Sequence, residues 1–216
     1  MNKKMKRMKT TTYLTVVLSL MLTYCKAQHL IIPRFDNGGT LGSVAGAYYK
    51  DVDHYFDQFV GTWSYTEGTT TLKVSFIKKE MMFRNDSYYD YLVGEFQYIE
   101  NGVEKANTLS NLSDNYISAY TYDMWSITRI RKSSYPVCEE CGTDEKRLRM
   151  AFTEPANDDD CLEGMWTMRV VVQGGVQKLK VQFRLETNYC GYKEDGTPSV
   201  ARSFSVPFGD YTLIRE

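Results

Sequence analysis

Lys178-Leu179-Lys180-Val181-Gln182-Phe183-Arg184-Leu185-Glu186 alternates polar or charged residues with apolar ones without a break. Successive side chains of a β-strand point to opposite faces, so this stretch predicts a strand with one buried and one wet face. The same period of two appears at Trp166, Met168, Val170 and Val172, at Leu148, Met150 and Phe152 around Arg149, and at Leu72, Val74 and Phe76. Turn signals separate these runs at Glu67-Gly68, Glu100-Asn101-Gly102, Gly174-Gly175 and Glu194-Asp195-Gly196. From Phe59 onward the chain therefore reads as about ten short strands in an all-β domain.

A weak repeat runs through them. Val60-Gly61-Thr62-Trp63-Ser64-Tyr65 is followed 33 residues later by Val93-Gly94-Glu95-Phe96-Gln97-Tyr98, and Gly164-Met165-Trp166 opens a third strand in the same way. A meander of hairpins closing on itself accounts for this pattern, because closure removes edges that aromatic strands would otherwise expose. The expectation is an antiparallel up-and-down barrel of about 8–10 strands over residues 59–216, with an open sandwich as the alternative. Inward positions of the repeat fall on Trp63, Tyr65, Phe96, Tyr98, Trp166 and Met168, which are the candidate ligand-contacting residues.

Ahead of the strands, Tyr48, Val52, Tyr55, Phe56 and Phe59 recur at spacings of three and four, predicting a short amphipathic helix over 47–58 that closes one barrel end. Residues 28–45 contain Pro33, Gly38, Gly39 and Gly42 without a periodic apolar pattern and read as a flexible arm.

The first 27 residues read as a secretory signal peptide. Basic residues crowd positions 3–9, an apolar run spans Tyr13–Leu22, and Cys25-Lys26-Ala27 offers a cleavage site before Gln28. That run is too short to cross a bilayer, which takes about 20 residues, and no later segment is longer. The domain over 46–216 is thus expected to be secreted or periplasmic. Lipid attachment at Cys25 is the alternative, disfavoured by the bulky Tyr24 before it. The whole chain has 26 basic and 27 acidic residues. Removing the six basic residues of the leader leaves 20 against 27, a net charge of -7. A chain of that sign lacks the clustered cations of a nucleic-acid binder.

Gly61-Thr62-Trp63, after a short aromatic segment and at the head of the first strand, resembles the Gly-x-Trp entry strand of lipocalins and related calycin barrels. It also resembles several small exported bacterial domain families of unknown function. The resemblance implies a barrel floor plugged by Trp63, a close backbone approach at Gly61, and a basic residue of a late strand over the indole, for which Arg215 is the candidate. It further implies a small apolar or amphipathic ligand held inside the barrel. The longer lipocalin motifs in the middle of the chain are absent.

Catalytic chemistry finds little support. Of the two histidines, His29 lies in the arm and His54 sits apart from any nucleophile elbow, so no triad can be assembled. Cys138-Glu139-Glu140-Cys141 has glutamates where a redox pair wants cations, and no second close cysteine pair that zinc would need. Asn157 to Asp160 with Glu163 lacks the alternating spacing of a calcium loop. No cofactor or metal is called for.

An even number of cysteines beyond the leader, in an exported chain, points to disulfides. If strands 147–153, 165–173 and 176–186 run up, down and up, Cys161 and Cys190 share one end while Cys138 and Cys141 lie at the other. Seven strand residues rise about 23 Å, whereas bridged Cα atoms lie within about 7 Å. Cys161 should therefore pair with Cys190, and Cys138 with Cys141. Two functions remain. One is a non-enzymatic module enclosing a small apolar ligand. The other is a filled barrel that meets another protein or a surface glycan through tyrosine-rich loops at 133–146 and 187–199, in keeping with 17 tyrosines. Oligomeric state is left open.

Overall fold

The computed structural model describes residues 29–35, 41–155, 162–187, 196–197 and 203–216. Among them lie β1 (Ile31–Pro33), β2 (Tyr48–Lys50), β3 (Gly61–Glu67), β4 (Thr70–Arg84), β5 (Ser87–Glu100), β6 (Val103–Asn107), β7 (Met124–Arg131), β8 (Lys146–Phe152), β9 (Glu163–Gln173), β10 (Val176–Thr187) and β11 (Gly209–Arg215). Eight of these close an antiparallel barrel in the order β3-β4-β5-β7-β8-β9-β10-β11, with β11 returning to β3. Closure excludes the open sandwich.

The barrel consists of two well-paired sheets joined by thin seams. β4 and β5 pair from Thr71↔Ile99 to Arg84↔Ser87, and β9 and β10 from Val176↔Gln173 to Thr187↔Glu163. By contrast β5 meets β7 only at Val93↔Trp125 and Gly94↔Met124, and β11 meets β3 only at Ile214↔Ser64 and Arg215↔Trp63. Extra bonds reinforce the second seam. The Glu216 amide donates to Thr62 O at 3.0 Å, Lys73 reaches the Glu216 carboxylate at 2.9 Å, and Arg215 Nη2 donates to Val60 O at 2.8 Å.

Tight turns do what their residues allow. Asn101 and Gly102 between β5 and β6, and Gly174 and Gly175 between β9 and β10, all hold positive φ, as a twisted two-residue hairpin requires. Asn85 and Asp86 do the same between β4 and β5, a turn that the sequence signals above did not include.

The repeat has a packing cause. A Cβ on Gly94 would stand 2.5 Å from the Phe76 ring, and one on Gly164 would stand 2.5 Å from the Phe183 ring. Each glycine yields the space taken by an aromatic ring of the neighbouring strand, and the next inward residue is a ring itself, Phe96 or Trp166. The interior is thereby filled. Trp63, Phe76, Phe96, Phe152, Trp166 and Phe183 are fully buried in one cluster, with Phe152 4.8 Å from both Phe96 and Phe183 and Trp166 5.5 Å from Phe183.

The helix expected over 47–58 is not there. Tyr48–Lys50 is a strand, running parallel to β1 and to Tyr88-Tyr89 of β5, and turns follow from Val52 to Phe59. The Asp51 carboxylate accepts the Tyr55 and Phe56 amides at 2.9 and 3.0 Å, and His54 takes a positive φ of 54° that a helix does not tolerate. Phe56 and Phe59 still face the barrel core, so the apolar spacing of three and four reports a wound turn. The described part of the 28–45 stretch is likewise not a free arm: Ile31–Pro33 is paired, and Arg34 and Phe35 are buried.

Candidate functional site

The six inward residues of the repeat come together as expected, but as packing. Trp63, Phe96, Trp166 and Met168 are fully buried, Tyr98 nearly so, and Tyr65 packs partly against them. None of them lines the two clefts described below. Trp63 donates its indole N–H to Phe59 O at 2.8 Å, and the Arg215 guanidinium lies 5.4 Å above the ring, while its edge stands 3.3 Å from the space a Cβ on Gly61 would need. These contacts tie β11 to the start of β3.

Cys138 and Cys141 are bridged, with Cα atoms 5.5 Å apart. Their loop is pinned to the outer wall by Arg147, whose guanidinium donates to the carbonyls of Arg131, Ser134 and Pro136 and to Gln182 Oε1. Tyr135 of this loop is exposed. Cys161, Cys190, Asn157 to Asp160 and most of the 187–199 loop lie outside the described residues, as does the leader with Cys25. His54 is exposed and pairs with Asp57 at 3.2 Å.

The outside of β5 carries what sequence reasoning missed. β1 and β2 extend the sheet alongside β5 and the connection between β6 and β7 lies against its outer face, together building a second cluster from Tyr49, Tyr89, Tyr91, Val93 and Tyr122. Tyr49 and Tyr89 stack at 5.0 Å, and the chain of rings continues through Tyr91 and Tyr120 to Trp125. Signals for this existed in Tyr88-Tyr89-Asp90-Tyr91-Leu92-Val93, which is aromatic or apolar at both parities, the mark of a strand covered on both faces.

At the open end of this ring series lies a cleft of about 700 Å³, bounded by Arg34, Arg84, Tyr91, Tyr120, Trp125 and Arg149 among others. Its tyrosine wall is backed by cations: Arg34 lies 4.6 Å over Tyr91, and Arg84 4.3 Å over Tyr120. Arg34 is only 4% exposed; Nη2 donates to Ser126 O at 3.2 Å, and the guanidinium lies against Tyr91. Burial pushes its pKa down, against the pull of Tyr91, Asp90 and Asp51. Burial also raises the Tyr91 hydroxyl, with Arg34 and Arg84 opposing. On the facing wall, Arg149 is bound to Glu186 at 2.6 Å. A second, smaller cleft of about 360 Å³ lies below the disulfide loop, between Arg169, Lys180 and Tyr211.

Two buried carboxylate groups fasten the covering layer. Asp90 accepts the Tyr48 hydroxyl and the amides of Asp51 and Met81, and Asp51 is bound to Lys78 at 3.2 Å. Further along, Glu95, 1% exposed, accepts the Asp123 amide at 3.4 Å, and burial next to the Asp123 carboxyl pushes it up to about 8. Burial raises Asp123 too, with Glu154 adding to it, while Thr108 opposes. Two buried neighbouring carboxyls are expected to keep a proton to a higher pH than either would alone.

Among the described residues, no helix is long and apolar enough to cross a membrane, and no three His, Cys, Asp or Glu side chains are grouped to hold a metal ion. No curated protein and no solved structure matches the chain. A family model described as "Family of unknown function (DUF6705)" matches residues 8–216, and the chain belongs to that family.

Proposed function

We propose that this protein is an exported, non-enzymatic recognition module in which the barrel is a solid scaffold and the cleft on its outer wall does the recognising. The observation that supports it is the contrast in filling. Rings occupy the barrel from Trp63 to Phe183 with no exposed surface, whereas a cleft of about 700 Å³ lies outside, within the 300–1,000 Å³ usual for small-molecule sites. A filled interior weighs against an apolar ligand enclosed by Trp63, Tyr65, Phe96, Tyr98, Trp166 and Met168. The reading stays close to lipocalin-like barrels in architecture, on the strength of Gly61, Trp63 and the stacked Arg215. Export rests on the leader pattern and predicts a mature chain beginning at Gln28. Intact mass of the exported protein checks this, and an acylated Cys25 would replace it with an anchored form.

The three tryptophans provide the test. Trp63 and Trp166 report on the interior and Trp125 on the cleft. In ¹⁵N-labelled protein, palmitate should leave the indole signals of Trp63 and Trp166 in place, and a soluble fragment library should yield compounds that move Trp125 alone. Palmitate shifting Trp63 and Trp166, or a library that never moves Trp125, would overturn the reading.

A further inference from the structure

Taking the outer cleft as the recognising site, which is the reading above, its chemistry narrows the class of ligand. Four observations bear on it. Tyr120 is 37% exposed at the cleft, so part of its ring meets whatever enters. Arg84, itself exposed, stacks 4.3 Å over that ring and has no ion pair among the described residues. Behind the tyrosine wall, Arg34 is buried with no ion pair among the described residues, its charge offset at longer range by Asp51 and Asp90. From β9 and β10 come acceptors, Glu163 and the Arg149-bound Glu186, and Asn85, next to Arg84 at the turn between β4 and β5, adds an amide.

A simple anion would use the cations and leave the ring and the acceptors idle. A neutral apolar molecule would use the rings and leave Arg84 unpaired. A sugar carrying a negative group uses all three, with its anionic substituent on a guanidinium, a C–H face on an aromatic ring, and hydroxyls donating to carboxylates. We propose that the outer cleft binds an acidic saccharide, with Arg84 holding the carboxylate or sulfate and Tyr120 stacking on the sugar ring.

The test is an NMR titration of the purified protein, read at the Trp125 indole, with digalacturonate, a sulfated heparin disaccharide and cellobiose as probes. At least one of the two acidic probes should bind ten-fold or more tightly than cellobiose, and its affinity should fall with added salt. Arg84→Gln should weaken that probe at least ten-fold and flatten the salt dependence, and Tyr120→Ala should weaken it about ten-fold. Both positions are exposed, and unchanged Trp63 and Trp166 signals verify that each variant is folded. Cellobiose binding as tightly as the acids, or Arg84→Gln binding like the parent, overturns the acidic-saccharide assignment and leaves the cleft reading standing. Silence at Trp125 with every probe, fragments included, removes both.

Discussion

The inside of the barrel and the layer that covers β5 are both rich in rings, yet they are held by opposite means. Inside, Phe96, Phe152, Trp166 and Phe183 pack chiefly against one another and their apolar neighbours, and shape selects their arrangement. Outside, Tyr49, Tyr91 and Tyr122 bring hydroxyls with them, and buried polar groups such as Glu95 and Arg34 hold the layer down, while Asp90 ties β2 to the edge of β5 through Tyr48. Burying a charge is tolerated only when hydrogen bonds or a counter-charge meet it. The outer layer is thus tied by few, specific and pH-sensitive bonds, while the interior is held by many weak ones.

That contrast can be broken most severely from within. Trp166→Ala should lower global stability by about 3–5 kcal/mol, as large-to-small changes in a packed core do. Urea unfolding followed by circular dichroism measures it, and a loss below about 1 kcal/mol would mean that the interior is not packed. Asp90→Ala is expected to cost about 3 kcal/mol, since it strands the Tyr48 hydroxyl and the Asp51 and Met81 amides at roughly 1 kcal/mol each. Its signature should be local. Hydrogen exchange should accelerate in β1 and β2 and not in β8 to β10, whereas uniform acceleration would erase the distinction between the regions.

The carboxyl pair sharpens the comparison through pH. Glu95 sits near 8 in the folded protein, above its ordinary value of 4.5, so the native chain holds more protons than the unfolded one between those limits. Stability therefore falls as pH rises from about 4.5 to about 8. Glu95→Gln should remove at least about 1.4 kcal/mol of that fall, the equivalent of one pKa unit. Denaturation midpoints at pH 5 and pH 8.5 would show it, and parallel behaviour of parent and variant would count against the retained proton. Smallest is Arg215→Met, which loses the stack on Trp63 and the solvent-exposed bonds to Val60 and Gln177 and should cost about 0.5–1 kcal/mol. A larger loss would mean that the seam between β11 and β3 depends on this residue for more than these contacts.

Which parts the sequence could announce follows from the same contrast. Alternation such as that of 178–186 records a two-faced strand directly, and so the inward residues Trp63, Phe96, Trp166 and Met168 were legible from position alone. The covering layer was not, because its parts are brief: three-residue strands are too short to show a period, and the turns around Asp51 copy a helical spacing. The cleft was hidden for a different reason. Arg34, Arg84, Tyr120 and Trp125 are 91 positions apart at the extremes and meet only because β6 leaves the barrel and lets β7 lie beside β5. No local pattern encodes that meeting.

The two thin seams give the barrel lines of opening. Each sheet, β3 to β5 and β7 to β11, is built of neighbouring hairpins and needs little chain closure to form, so docking along the seams is the late, long-range event in folding. A chain caught with its seams parted bares strand edges on both sheets, and a bare edge accepts a strand from any other copy as readily as from its own. On this view Arg215 and Glu216, which bind Val60, Thr62 and Lys73 across the gap, act as a clasp against strand exchange between molecules.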